Sequence, residues 1–204
     1  MDGVLFDTIG EAKKFFIERH PTVTTEMYNE IHTGNFHAEA EKYSHLQVPW
    51  SEEVKEEKYK SYSETKSRSP LFKGIKELLE NFHTASYVLV MNTNASAKNC
   101  LPLLELAGIH SLFDFIPTAE VSKDKIEKFK LIEQKFNIDI QDALFITDAL
   151  GDVRDADIVG VPTIAVTWGV HDKSFFEREN HANLVGVVNT VEELINSIEN
   201  HFST

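Results

Sequence analysis

After Pro70 the chain alternates between short apolar runs and amphipathic stretches, and this alternation constrains its fold more than any other feature. The helical stretch FKGIKELLENFH precedes the strand-like YVLVMNT, SAKNCLPLLELAG precedes FDFIPT, KIEKFKLIEQKF precedes ALFITD, and DVRDADIVG precedes TIAVTW. A helical stretch near DKSFFEREN, a short run LVGVV and a last helix VEELINSIENHF close the chain. Continuously apolar strands are buried on both faces, and the helices between them supply the cover. The pattern predicts a doubly wound, Rossmann-like α/β core with a parallel sheet. Right-handed crossovers bring the carboxyl ends of such strands to one edge, where open sheets bind ligands.

From Ile9 to about Ser67 the text is polar and helical, with Pro21, Gly34 and Pro49 as interruptions and no strand-like run. This polar helical segment is therefore read apart from the alternating stretch that follows it. A length of 204 residues with 42% hydrophobic content suits one core with such an elaboration. The aromatics Phe15, Phe16, Phe36 and Trp50 read as packing within the insertion. With 33 acidic and 20 basic residues the formal charge is −13, which disfavours binding to nucleic acid or to an anionic membrane. No apolar run approaches the ~20 residues that span a bilayer, and the acidic start lacks signal-peptide character. The one cysteine, Cys100, reads as a buried apolar residue in a reducing compartment, so a cytoplasmic location is expected. The nine histidines are scattered, without the spacing of a helical zinc motif.

Chemistry-bearing residues gather at the expected strand ends. Asn92, Thr93 and Asn94 follow one strand; Thr147, Asp148 and Asp152 follow another; Ser122, Lys123, Asp124 and Lys125 precede a helix; and Asp2 lies near the start. Carboxylates hold Mg²⁺, which prefers oxygen ligands, while a hydroxyl and an ammonium stabilise phosphoryl oxygens during transfer. Taken singly, each group has a plainer reading. Thr93 and Asn94 could cap the next helix, Asp148 and Asp152 flank Gly151 as a turn and cap would, and Lys123 and Lys125 could be solvated charges. Their common placement at one sheet edge favours a site.

At these residues the chain resembles the haloacid dehalogenase superfamily, in the phosphatase-like branch with a helical C1-type cap inserted after the first motif, which implies a cap of residues 10–68 in a core made of 1–9 and 69–204. MDGVLFDT is similar to the tail of the first motif, VMNTNAS to the second, VSKDKIEKF to the third, and FITDALGDVRDADIVGVPTIAVTWG to the fourth with its following helix, turn and strand. The resemblance implies a Mg²⁺-dependent phosphoric monoester hydrolase for a small phosphorylated metabolite, working as a monomer or homodimer through an aspartyl phosphate. It implies that Asp2 is the acid/base and a metal ligand through its backbone carbonyl. Thr93 would bind the phosphoryl group with Asn94 in support. Lys123 would offset charge, with Lys125 as the alternative because KDK lacks the proline that commonly follows this lysine. Asp148 and Asp152 would serve the metal.

In the family the nucleophilic Asp stands two residues before the acid/base, at the end of a strand central to the sheet. Both precede Met1, so the first core strand and the nucleophile are expected to be absent from this chain, a shortfall of roughly seven or eight residues. Two explanations stand: an internal Met of an Asp-Met-Asp-Gly motif taken as the start, which the remaining catalytic positions favour, or a naturally shortened, inactive relative. Without the nucleophile the chain should be unable to perform the covalent step. Sugar-phosphate mutases share every motif, and a noncatalytic binding or scaffold protein on the same fold is the alternative from another class. Metal-independent haloalkanoate dehalogenases usually lack the second Asp, so Asp2 argues against them.

Overall fold

The computed structural model describes residues 1–203. A parallel sheet in the order β1-β2-β3 is built from Phe145–Thr147 (β1), Thr163–Val166 (β2) and Leu184–Val188 (β3). Phe145 stands opposite Thr163, and Ile164 opposite Gly186, with an irregularity between Thr163 and Ile164. The central β2 is buried along its whole length, which is why TIAV carries no exposed polar side chain.

The expected strands YVLVMNT and FDFIPT depart from this regularity. They run side by side through Asp114 N–H to Leu89 O (2.9 Å), Met91 N–H to Phe115 O (3.0 Å) and Thr93 N–H to Pro117 O (3.3 Å), with a single parallel bridge between Val90 and Phe115. Residues 88–92 are bonded on one side only, and Val88 is 54% exposed despite its apolar side chain. Between these residues and β1 lies a cavity of about 440 Å³, lined by Val4, Leu5, Val90, Met91, Leu144 and Ile146 among others. A strand with one partner forms half the ladder and buries less of its side chains, so the regular sheet is shorter than the sequence pattern predicts.

Between Ile9 and Lys66 the regular elements are all helical: α1 (Ile9–Arg19), α2 (Thr25–Ile31), α3 (Phe36–Glu41) and α4 (Glu52–Lys66). Thr24, Asn35 and Ser51 cap α2, α3 and α4 with their side chains, as their sequence positions suggest. Phe15 stacks on Tyr62 at 4.4 Å and meets Trp50 edge-on at 6.0 Å, while Phe16 packs on His20 and Tyr28.

The remaining helices cover the sheet with the residues their periodicity selects. α5 (Ile75–Thr84) buries Ile75, Leu78 and Leu79; α6 (Ala97–Leu106) buries Cys100, Leu103 and Leu104. α7 (Lys125–Phe136) and α8 (Leu150–Val159) bring Phe129, Ile132 and Ala156 into a second cluster. α9 (Lys173–Phe176) adds Phe176, and α10 (Val191–Phe202) buries Leu194 and Ile198. Cys100 is fully buried, and burial pushes its thiol up, away from the reactive thiolate. Among the described residues no helix is long and apolar enough to cross a membrane.

The helical segment is tied to the core by defined bonds. Gly151 N–H donates to His32 O at 2.9 Å, Asn35 Nδ2 to Lys123 O at 2.9 Å, and Arg178 pairs with Glu30 at 2.8 Å. His171, fully buried, accepts from Leu150 N–H through Nδ1 and donates from Nε2 to Asn29 O, both at 2.9 Å. One imidazole thus joins the start of α8 to the helical segment, and burial holds it neutral, pushed down to about 4.

Candidate active site

The carboxyl ends of β1 and of residues 88–92, the turn at Met1–Phe6 and the inner wall of α1–α4 enclose a second cavity of about 730 Å³. Asp2, Thr93, Asn94, Lys123, Lys125, Asp148 and Asp152, the seven residues singled out in the sequence, all line it. They come from four separate stretches of chain, and the sheet topology is what gathers them.

Asp2 sits in a tight turn whose Met1 carbonyl accepts from Leu5 N–H at 2.9 Å. Its Oδ1 accepts from Thr8 Oγ1 at 2.6 Å and pairs with Lys66 Nζ at 2.8 Å. Burial pushes this carboxyl up, yet the Lys66 ammonium, the Met1 amino group and the Thr8 hydroxyl outweigh burial and leave it below the ordinary carboxylate value. Neither Thr8 nor Lys66 was singled out by sequence reasoning. The DT of MDGVLFDT offered a signal for Thr8, but Lys66 lies 64 residues beyond Asp2 and only the return of α4 to the core brings it there.

Asp148 directly follows β1, with its Oδ2 accepting from Val170 N–H at 2.8 Å and its carbonyl accepting from His171 N–H at 3.2 Å. Burial pushes its carboxyl up to about 6; the Val170 bond and the Met1 amino group oppose this, while the Asp152 charge adds to it. Two glycines make its room. A Cβ on Gly3 would stand 2.0 Å from Asp148 Oδ2, and one on Gly169 would stand 2.2 Å from the same atom. Gly3 also has φ of +67°, the left-handed region. Gly3→Ala is therefore expected to destabilise the chain by at least about 1–2 kcal/mol from the backbone alone, before the clash is counted. A melting temperature unchanged from the parent would refute this.

Asp152 accepts from Thr147 Oγ1 at 2.7 Å and faces Lys125 Nζ at 3.4 Å. Lys125 is 6% exposed and also donates to Asn92 O at 3.1 Å, whereas Lys123 is exposed at the cavity edge and its backbone carbonyl holds Asn35. Sequence order favours Lys123; the geometry seats Lys125 against the carboxylates. Lys128, three residues on and so on the same helix face, is fully buried and donates to Thr93 O (2.7 Å) and Asn94 Oδ1 (2.6 Å). Burial and then the Lys125 charge push its ammonium down to about 7. Two lysines of α7 thus clamp the 92–94 loop from below. Thr93 Oγ1 accepts from Ala95 N–H at 3.1 Å, leaving its O–H free to donate. Asn92 lines both cavities, with its side-chain nitrogen and oxygen buried and without partners among the described residues.

The donor set is hard and oxygen-rich. No three His, Cys, Asp or Glu side chains converge closely enough among the described residues to cage a metal. Mg²⁺ does not ask for a cage: it keeps several waters and takes one or two carboxylates together with substrate phosphate. The glycine-cradled Asp148 and the neighbouring Asp152 fit that habit.

Residues 1–166 match the family model described as haloacid dehalogenase-like hydrolase. A phosphoglycolate phosphatase from Synechococcus elongatus is 26% identical over 103 residues, 50% of this chain and 49% of that protein. The chain spans about half the length of the curated relatives it matches. Among solved structures, a hydrolase from Pseudomonas syringae superposes with a TM-score of 0.78 at 17% identity, over 98% of this chain and 95% of that one. CbbY from Rhodobacter sphaeroides, solved in complex with phosphate, superposes at 0.73 with 19% identity, over 95% and 93%. At these identities the superpositions speak to the fold.

Proposed function

The chain belongs to the haloacid dehalogenase-like hydrolases, and from that premise we propose that it carries the site of a Mg²⁺-dependent phosphoric monoester hydrolase for a small phosphorylated metabolite. The observation that carries this reading is the convergence of Asp2, Thr93, Lys125, Asp148 and Asp152 on one cavity. In this reading Asp148, Asp152 and the Asp2 carbonyl would hold the metal, whose charge would offset that of the phosphoryl oxygens. Thr93 O–H donates to the transferring phosphoryl group. Lys125, rather than Lys123, balances the charge between phosphate and carboxylates, because it is the lysine that reaches Asp152. Lys128 and Asn94 hold the Thr93 loop in place.

Asp2 is the acid/base. As the P–O bond to the leaving group breaks, it gives its proton to the departing oxygen; in the second half it takes a proton from the water that displaces the enzyme carboxylate from phosphorus. The nucleophile belongs to a carboxylate two residues ahead of Asp2, at the end of an apolar strand that fills the slot between residues 88–92 and β1. The slot's apolar lining, the one-sided bonding of residues 88–92 and the unpartnered Asn92 amide at its upper end support this. Residues 10–68 act as a cap that selects the substrate. The net charge of −13 disfavours binding to nucleic acid or an anionic membrane, the one cysteine suits a reducing, cytoplasmic compartment, and the reading takes the protein as a monomer or homodimer.

The test extends the chain by roughly seven residues, an apolar run closed by Asp directly before Met1. Mg²⁺-dependent release of inorganic phosphate from an aryl phosphate is expected from the extended chain and not from the 204-residue chain. Release that is equal in both, or absent from a folded extended chain across a broad panel of phosphate esters, would defeat the reading. An isomeric phosphate product in place of free phosphate would mark a mutase.

A further inference from the structure

The proposed phosphoryl chemistry occupies the core side of the large cavity and leaves two polar groups on the helical side without a role. His20 follows the last turn of α1 and is 4% exposed. Its Nδ1 lies 2.9 Å from Phe16 O; a carbonyl only accepts, so in the neutral ring Nδ1 carries the proton and Nε2 the lone pair. That Nε2 is buried without a partner among the described residues, although His20 lines the cavity. A buried acceptor left unmatched is costly and calls for a donor.

Arg19 lines the same wall. Its Nη1 donates to the Tyr59 hydroxyl at 3.1 Å, and its guanidinium carbon lies 5.8 Å from the Trp50 ring centre. Both partners are neutral, and among the described residues no carboxylate pairs with it, Glu41 on the same wall included. In a chain of net charge −13 with acids in large excess, a cavity-facing arginine that pairs with no carboxylate of its own chain can pair with an anionic ligand. Lys66, also a cavity-lining cation of the helical segment, is by contrast already committed to Asp2.

We infer that this wall is a leaving-group subsite for a hydroxylated anion: a substrate O–H donates to His20 Nε2, and a carboxylate or second phosphate of the same substrate pairs with Arg19. The inference rests on the phosphatase reading for the other end of the substrate. All four residues line one cavity, so a single phosphate monoester could engage Thr93 and Lys125 with its phosphate and Arg19 and His20 with its leaving group.

The experiment is calorimetric titration of the chain with Mg²⁺ present, at about pH 8. The probes are inorganic phosphate, ethyl phosphate, glycerol 3-phosphate, 3-phosphopropionate, 3-phosphoglycerate and glycerol 1,3-bisphosphate. Glycerol 3-phosphate is expected to bind about fivefold tighter than ethyl phosphate through the hydroxyl. The tighter of 3-phosphoglycerate and glycerol 1,3-bisphosphate should gain about tenfold or more, and which one it is identifies the anion as carboxylate or phosphate. Arg19→Met should remove the gain of 3-phosphopropionate and of both hydroxylated anions, and His20→Phe that of the hydroxyl, with inorganic phosphate binding unchanged in each. If inorganic phosphate binds but every ester falls within roughly twofold of ethyl phosphate, the subsite is wrong and the phosphatase reading stands. If inorganic phosphate does not bind, that reading fails and takes the subsite with it. Should His20→Phe not fold, the ¹⁵N resonance of His20 Nε2 in the unaltered chain decides: it must shift with glycerol 3-phosphate and not with ethyl phosphate, and a resonance unmoved by both overturns the role of His20.

Discussion

Asp2→Asn, made in the chain extended by an apolar strand and Asp, is expected to lower kcat for aryl phosphate hydrolysis by about 10²–10⁴-fold, with inorganic phosphate affinity little changed. An amide keeps the size and the hydrogen bond from Thr8 but can neither give a proton to the leaving oxygen nor take one from water. Ground-state binding relies on other groups, so the loss should fall on kcat and not on KM. The Lys66 pair at 2.8 Å makes the expectation sharper. That ammonium favours the ionised Asp2, the form suited to activating water and unsuited to protonating a leaving group. Leaving-group protonation is therefore the step Lys66 opposes, and esters with poor leaving groups should suffer more than aryl phosphates. A kcat for Asp2→Asn within about threefold of the parent would remove Asp2 from the mechanism.

Asp148→Asn should do two things at once: remove the stabilisation expected from Mg²⁺, and raise the chain's stability in metal-free buffer at pH 7 by about 3 kcal/mol, or roughly 6–12 °C in melting temperature. The carboxyl is pushed up to about 6 mainly because it is buried, so ionising it at neutral pH opposes folding. An asparagine keeps an oxygen to accept from Val170 N–H without the charge. The sign follows from linkage. A carboxyl whose folded value lies above its unfolded one destabilises the chain above about pH 6, and that cost is relieved as pH falls towards 4. His171 works the other way. It is pushed down to about 4, so its neutral form is fully accommodated above about pH 6.5, and stability is lost as pH falls from there to about 4. Each shift corresponds to ~3 kcal/mol. Asp155, also pushed up to about 6 mainly by burial, acts in the same direction as Asp148 and stays in the variant. The advantage of Asp148→Asn over the parent should therefore shrink by ~3 kcal/mol between about pH 6 and 4. Denaturant melts of both chains across that range measure it; parallel curves for parent and variant would show that Asp148 does not titrate there.

Much of the fold was legible because its signal is local. The apolar run TIAVTW and the faces of IKELLENF and VEELINSI carry their burial pattern within a few residues, and the structure buries Ile164, Ile75, Leu78, Leu194 and Ile198 accordingly. YVLVMNT and FDFIPT carried the same signal yet form one-sided pairs, since a ladder needs a neighbour that no run of sequence can supply for itself. The candidate site divides similarly. Thr93, Asn94, Asp148 and Asp152 announce themselves by following strand-like runs, and Asp2 by its place in MDGVLFDT. Lys66 and Lys128 do not, because a lysine in a polar helix looks solvated until the packing of that helix turns it inward.

The sequence by itself determined the alternating α/β core, the helical segment before Pro70 and the edge at which the polar residues meet, because hydrophobic period and chain order dictate these through short-range geometry. Only the tertiary structure set Lys125 against Asp152, paired Lys66 with Asp2, stripped His20 Nε2 of a partner and opened the slot beside β1. Each of these depends on which distant residues share a buried volume. Desolvation and direct contact, which set charge and hydrogen bonding there, act through space and not along the chain.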